Sequence, residues 1–392
     1  MNDVVAFEEK GTATKRSIFS QLCCLCGWIS LFLIVAILTL SNKETRKFPI
    51  HSSYWESGRA ASYGMNPYAA YPNTLQIDYS SVGGSRSTPD LNLNPPLLLP
   101  YFQLLSRFSL VHFVIVQTLV TALCFAFGTI LIVSSHPRVQ GRQIFWVLSS
   151  VPTIGAIIAG QTYGGLFLLA AMAFYFERRC FHVWASIAIG LVVAIKPTMI
   201  FWPLLLYIAG HHKLAVRAIA VAIIAFSIPL LIYGPATYGQ WLSALADDPH
   251  WIDPKDIALV PLFARLGHRQ IGMAAAIVAG IAIAYWGYRK KPVFTNASGA
   301  GISAGILCAP LGWSSYVLIL APFFVSRPWT TVITIAASIF LIPFPLHVTQ
   351  QGPAYLASIL LMLCFFMMPN FRRITERPFQ EGEGTFVQPI GR

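Results

Sequence analysis

The sequence predicts an all-α polytopic membrane protein, and three observations carry that expectation. AVILMFWYC make up 56% of the 392 residues and DEKR only 11%, against about 25% charged residues in an ordinary soluble domain. Apolar runs recur between residues 18 and 368, many of them near the length of about 20 residues that a spanning helix needs. The 27 Lys and Arg outnumber the 15 Asp and Glu, for a formal charge of +12. The basic residues gather at the ends of the apolar runs, which is the pattern of cytoplasmic loops rather than a nucleic-acid footprint. No nucleic-acid partner is expected.

Lys10, Lys15 and Arg16 precede the first run, 18–40, so residues 1–16 read as cytoplasmic and Ser41 as emerging on the far side. The run is longer than a signal-peptide core and lacks a small-residue cleavage site, so it reads as a retained span. The polar stretch 41–94 is the first extracytoplasmic loop, and long loops on a rigid scaffold are where function concentrates. Within it, 54–61 has the spacing of an interfacial helix with aromatics at headgroup level. Gly64 can end that helix, and Asn66-Pro67-Tyr68 forces an extended turn. Pro95-Pro96 stops any upstream helix before the next span, 110–133.

Three later runs are too long for one crossing and short for two. They are 144–176, broken at Gly160-Gln161; 182–209, broken at Lys196-Pro197; and 295–325, broken at Pro310-Leu311-Gly312-Trp313. Lys and Arg flank both ends of each, so each reads as a hairpin whose tip points outward. Broken helices are tolerated in a bilayer only where their backbone meets protein or a water-filled cavity. The run 215–233 leads to a second extracytoplasmic loop, 234–269; 271–288 returns, 331–346 goes out, and 355–368 comes back to a cytoplasmic tail, 371–392. The expectation is about 12 segments in one membrane-embedded domain over 17–370, with both termini cytoplasmic.

The seven cysteines sit in or beside apolar runs, which gives no disulfide framework. Cys23-Cys24-Leu25-Cys26 has neither His nor carboxylate beside it and reads as small apolar residues in a helix rather than a metal or lipidation site.

The spans are nearly free of carboxylates, which weighs against ion-coupled transport, so the chemistry is sought in the outward loops. Asp90, next to the entry of a span, reads either as a general base toward a hydroxyl or as a helix cap or partner of Arg107. Glu56 is a second candidate carboxylate, with Arg59 three residues on. Lys196 is the most informative cation: an ammonium inside a spanning helix costs about 2.5–3.5 kcal/mol. It reads as a phosphate ligand, alongside Arg59 and Arg107, or as a snorkelling side chain.

Tyr54-Trp55-x-x-Gly58-Arg59-Ala60, Asn66-Pro67-Tyr68, Asn94-Pro95-Pro96, Gly160-Gln161, Lys196-Pro197, Tyr233-Gly234-Pro235-x-x-Tyr238 and Pro310-x-x-Trp313, in this order, resemble glycosyltransferase family 87. Its members are polytopic GT-C enzymes similar to the polyprenyl-phosphate-mannose-dependent mannosyltransferases of actinobacteria. The resemblance runs from about Tyr54 to Pro322. It implies transfer of mannose or a similar sugar from a polyprenyl-phosphate donor to a lipid or glycan acceptor hydroxyl. The reaction would take place on the outer face of a bacterial inner membrane, with inversion, and without metal or cofactor. It further implies a first-loop carboxylate as base and substrate contacts from Tyr54, Trp55, Asn66, Tyr68, Asn94, Gln161, Trp313 and Tyr316. Two departures stand out. Many relatives carry an Asp shortly before the Tyr-Trp pair, where this chain reads Pro49-Ile50-His51-Ser52-Ser53. Many also carry Asp-His after the last Trp, where this chain reads Ser314-Ser315-Tyr316. The first moves the expected base to Asp90. Against the enzyme stand two other readings, a transporter or lipid flippase, and an inactive scaffold for envelope polysaccharide synthesis.

Overall fold

The computed structural model describes residues 49–340 apart from 75, 79–86, 136–142, 145, 148–149, 159, 248–255, 311, 326–328 and 330, and in addition 356–357, 359–360 and 363. The predicted first span, 18–40, most of the last, 355–368, and both tails lie outside the described residues.

Helix α1 (Pro49–Ser62) opens the described chain. Its first turn carries a proline, which has the φ of a helix already, and it ends at Gly64, whose φ of +68° reverses the chain. It begins five residues before the expected interfacial helix, and most of it is buried rather than lying in an interface. Gly58 touches the backbone of α2 (Leu99–Leu105): a Cβ there would sit 2.3 Å from the Phe102 carbonyl oxygen. Tyr54 stacks on Phe102 with ring centroids 4.7 Å apart. Between the two helices, β1 (Gln76–Asp78) and β2 (Ser87–Pro89) form a short antiparallel ladder. The fold is therefore not purely helical: a polar loop outside any apolar span pairs some of its backbone groups across strands.

Helix α3 (Leu110–Ser135) follows, then the broken runs. The first gives α4 (Val151–Ile158) and α5 (Tyr163–Arg178). The second gives α6 (His182–Ile195), a one-turn 3-10 helix over Pro197–Ile200, and α7 (Phe201–Ile208). Helix α8 (His212–Tyr233) leads into the second loop, which itself folds as α9 (Ala236–Asp247) and α10 (Leu259–Arg265) rather than staying irregular. Helices α11 (Arg269–Lys290) and α12 (Phe294–Leu307) come next. The third tip continues as a 3-10 helix over Ser314–Leu320, then α13 (Ala321–Val325) and α14 (Thr331–Ile339).

Among the described residues three helices, α3, α8 and α11, are long and apolar enough to cross a membrane. The expected count of about 12 is not confirmed: the first predicted span and most of the last lie outside the described residues, and much of the remaining apolar chain is in shorter pieces broken at the expected places. Gly160, at the first break, has a φ of +61°. At the second, Lys196 is out of helical geometry (φ −134°, ψ 89°), as the residue before a proline should be.

The length difference shapes the molecule. Helix α6 has 14 residues and α8 has 22, about 21 and 33 Å at 1.5 Å per residue. They pack side by side, Gly190 lying against the Ala218 carbonyl and Val221, and from there α6 runs on only to Ile195 while α8 continues to Tyr233. Helix α8 therefore outruns α6 by about 10 Å, and a recess opens above the short helices.

At the foot of the short helices, Lys291 Nζ donates to the Ile208 carbonyl at 2.7 Å and His211 Nε2 meets the Pro292 carbonyl at 3.1 Å. These bonds tie the α7–α8 turn to the α11–α12 turn. The same end carries exposed Lys213, Arg217, Arg289, Lys290 and Lys291. Helix α12 lies antiparallel to α7 through Gly301 and Gly305, the small-xxx-small spacing that lets backbones approach closely. A Cβ at Gly301 would sit 2.9 Å from Trp202 Cα. Replacing Gly301 by Val is expected to cost about 1–3 kcal/mol, read as a lower thermal unfolding midpoint in detergent; an unchanged midpoint would contradict this contact.

Candidate active site

The floor of the recess is made by the three broken runs and the end of the first loop. Lys196, at the second tip, donates from Nζ to Asn94 Oδ1 at 3.2 Å. Tyr163, from the start of α5, and Tyr316, from the third tip, flank it with ring centroids 5.7 and 5.4 Å from the ammonium. The two rings meet edge to face at 5.6 Å. Among the described residues no carboxylate lies within ion-pair distance of Lys196.

Asn94 is 2% exposed and joins the parts. Its Oδ1 also accepts from Thr162 Oγ1 of the first tip at 3.4 Å, and its carbonyl accepts from the Tyr68 hydroxyl at 3.1 Å. Its Nδ2 donates to Asn92 Oδ1 at 3.0 Å, and Asn92 Nδ2 donates in turn to Ser57 of α1 at 2.8 Å. The Asn94 side chain also lies beside the Tyr54 hydroxyl. Burial pushes the Tyr54 phenol well above its usual pKa, Asn94 opposes this, and the charge of Asp90 adds to the rise. Asp90, half-buried, thus lies within electrostatic reach of Tyr54 and also of Tyr163. It does not cap the following helix, whose N-cap is Pro95.

Above Lys196 is a cavity of about 370 Å³. Its walls are largely apolar: Leu93 and Pro95 from the loop, Trp241, Leu242 and Leu245 from α9, and Pro310 from the third tip. Lys196, Thr198 and Tyr316 are its polar lining. The Thr198 hydroxyl is buried and has no hydrogen-bond partner among the described residues. Trp241 is fixed by its indole N–H, which donates to the Leu93 carbonyl at 3.1 Å.

Of the residues expected from the sequence, Tyr54, Asn94, Lys196 and Tyr316 meet around this floor, with Asp90 beside them. Tyr68 supports Asn94 from behind. The structure does not bring the others to the cavity. Glu56 is buried and accepts from Asn73 Nδ2 at 2.6 Å instead of pairing with Arg59. The Arg59 guanidinium lies over the Trp55 ring at 4.6 Å, and the Trp55 indole N–H donates to the Phe108 carbonyl. Arg107 is exposed on the far side of α2. Asn66 shapes its turn, Oδ1 accepting from the Tyr68 amide at 2.9 Å. The Gln161 carbonyl accepts from Thr121, and Trp313 bridges to Asp256.

Four residues at the site were not singled out from sequence: Tyr163, Thr198, Trp241 and Asp256. Thr198 stands two residues past Lys196 in the same broken helix, a spacing that could have flagged it. The others come together only through tertiary packing. Among the described residues no three His, Cys, Asp or Glu converge as a metal-ligand group.

The profile of glycosyltransferase family 87 matches residues 92–310, more than half of the chain. The chain belongs to glycosyltransferase family 87. It is a membrane glycosyltransferase, and the family match begins at Asn92, just ahead of Asn94, and ends at Pro310, on the cavity wall. The motifs from Tyr54 to Tyr68 and from Trp313 onward lie outside the match, which is narrower than the expected resemblance. No curated protein matches the chain.

His51 is a buried group without a hydrogen bond among the described residues. His51 of α1 is 1% exposed with both ring nitrogens unpartnered, and it packs so closely on the first tip that a Cβ at Gly160 would lie 1.8 Å from Nε2. Burial lowers its pKa from 6.5 to about 4. The folded protein therefore refuses a proton that the unfolded chain accepts between those values, so His51 makes stability fall as pH drops from 6.5 to 4, with no further loss below. The loss is roughly 3 kcal/mol; it should appear as an acid-side drop in unfolding midpoint that His51→Leu flattens, and equal pH profiles for both proteins would refute it.

Proposed function

We propose that this family 87 enzyme transfers a sugar from a polyprenyl-phosphate carrier to an acceptor hydroxyl. One observation carries the reading: an ammonium, Lys196, at the bottom of a largely apolar cavity, held by an amide oxygen and two tyrosine rings with no carboxylate beside it among the described residues. An uncompensated buried cation invites an anion. Apolar walls suit an isoprenoid, and one positive charge matches one phosphodiester better than a diphosphate. Lys196 also precedes the first turn of the helix running to Ile208, whose N-terminal dipole favours the same charge.

The chemistry follows from the charges. The acceptor hydroxyl attacks the anomeric carbon from the face opposite the phosphate, Asp90 takes the hydroxyl proton, and the bond to the phosphate oxygen breaks with its electron pair. The leaving polyprenyl phosphate gains negative charge as it departs, so its interaction with Lys196 strengthens toward the transition state, which is the condition for catalysis. The Tyr316 and Thr198 hydroxyls are placed to donate to the same oxygens, and Tyr54 and Asn94 hold the first-loop strand that carries Asp90. The donor sugar is mannose or a similar hexose or pentose, the product is inverted, and the acceptor is a lipid or glycan. The recess opens to the extracytoplasmic side of a bacterial inner membrane and the basic end faces the cytoplasm, as the positive-inside bias favours.

Purified protein given radiolabelled polyprenyl-phosphate mannose and a membrane extract of acceptors tests this. Lys196→Met is expected to lose about 100- to 1,000-fold in transfer and Asp90→Asn at least about 100-fold. Transfer equal to wild type by Lys196→Met would sink the donor site, and equal transfer by Asp90→Asn would remove Asp90 as base.

A further inference from the structure

Asp256 lies in the second loop, 54 residues before α12's last neighbour on the cavity wall, Pro310. It is fully buried. Its Oδ1 accepts two backbone N–H bonds, from Ala258 two residues on and from Gly312 at the third tip, both at 3.0 Å. The two segments are joined again by the Ile257 amide, which donates to the Gly312 carbonyl at 2.8 Å, and by a bridge between Asp256 and Trp313. Arg265 of α10 donates to the Asp256 carbonyl at 2.9 Å. The joint is too tight for any side chain at 312: a Cβ there would sit 2.3 Å from the Ile306 carbonyl oxygen and 2.9 Å from Ala258 Cβ. Four residues beyond Gly312 is Tyr316, one of the rings against Lys196, and the charge of Asp256 reaches Tyr316 and Tyr163.

We propose that Asp256 is a positioning residue of the transfer reaction: by gripping the Ala258 and Gly312 amides together it holds the third tip so that Tyr316 stays against Lys196 and Pro310 closes the cavity wall. The proposal rests on the reading of that cavity as the donor site. Pairing two amides on one carboxylate oxygen is a strong, charge-assisted arrangement, and losing it leaves two buried donors unpaired. The same loop supplies α9, the opposite wall of the cavity. Asp256 therefore acts on the third-tip wall and on Tyr316, and its removal acts on the donor rather than on the acceptor.

Full-length protein in detergent is compared as wild type, D256A, D256N and G312A. Hydrogen exchange, read by mass spectrometry over 256–266 and 306–320, reports the grip without turnover. D256A and G312A are expected to exchange faster there, and D256N at the wild-type rate, because its amide oxygen still accepts both bonds. With radiolabelled polyprenyl-phosphate mannose, D256A should lose about 100-fold in kcat/KM for the donor while KM for the acceptor moves less than about threefold, and D256N should stay within about fivefold of wild type. Should D256A fail to fold, G312A pries open the same joint and is expected to show the same donor defect. A wild type that transfers sugar and a D256A that transfers equally well would overturn the proposal alone. D256N as impaired as D256A, or unchanged exchange in D256A and G312A, would overturn it too. A wild type that transfers nothing overturns the donor reading on which it stands.

Discussion

The hydrogen bond from the Lys196 ammonium to Asn94 Oδ1 is the contact on which the site depends. Lys196 is the end of one broken run, and Asn94 is the end of the first loop. Through Asn94 the loop also takes hold of Thr162 from a second run and of Tyr54 and Tyr68 from its own fold. A cation in an apolar bundle has to find oxygen, and the cheapest oxygen here is a neutral amide. A carboxylate in its place would cancel the charge. An amide satisfies one donor and leaves the field of the ammonium intact, directed into the cavity.

Much of this was readable before the structure, and the reason differs from residue to residue. The breaks at Gly160-Gln161, Lys196-Pro197 and Pro310–Trp313 are local properties of glycine, proline and charge in apolar runs, so sequence exposes them. Their convergence on one end follows from the flanking Lys and Arg. Asn94 and Lys196 could be named because each stands beside a proline at such a break. Arg59 and Arg107 could not be sorted from Lys196 by type alone. Whether a guanidinium faces a cavity or lies over its neighbour's indole depends on which face of α1 meets α2, and Gly58 decides that by letting the Phe102 backbone in. Trp241 and Asp256 depend on the folding of the second loop. That stretch read only as a polar loop because α9 and α10 are short helices separated by a polar interval.

The departures from the wider family also take on a physical sense. Where the family resemblance led to the expectation of a carboxylate ahead of Tyr54, this chain has His51, wedged against Gly160 and kept neutral by burial. A charged group in that pocket would have no partner among the described residues. Asp90, the base in the proposed reaction, lies within electrostatic reach of Tyr54 and Tyr163 from the segment leading to Asn94.

The mismatch in length between α6 and α8 has one more effect. With the floor of the recess about 10 Å below the ends of the longer helices, the bond that the proposed reaction breaks would lie deep between α9 and the end of the first loop. Water is the most abundant rival to an acceptor hydroxyl, and an activated sugar exposed to it would be hydrolysed. With the donor bound as proposed, short helices in a bundle of long ones would favour transfer over hydrolysis by depth.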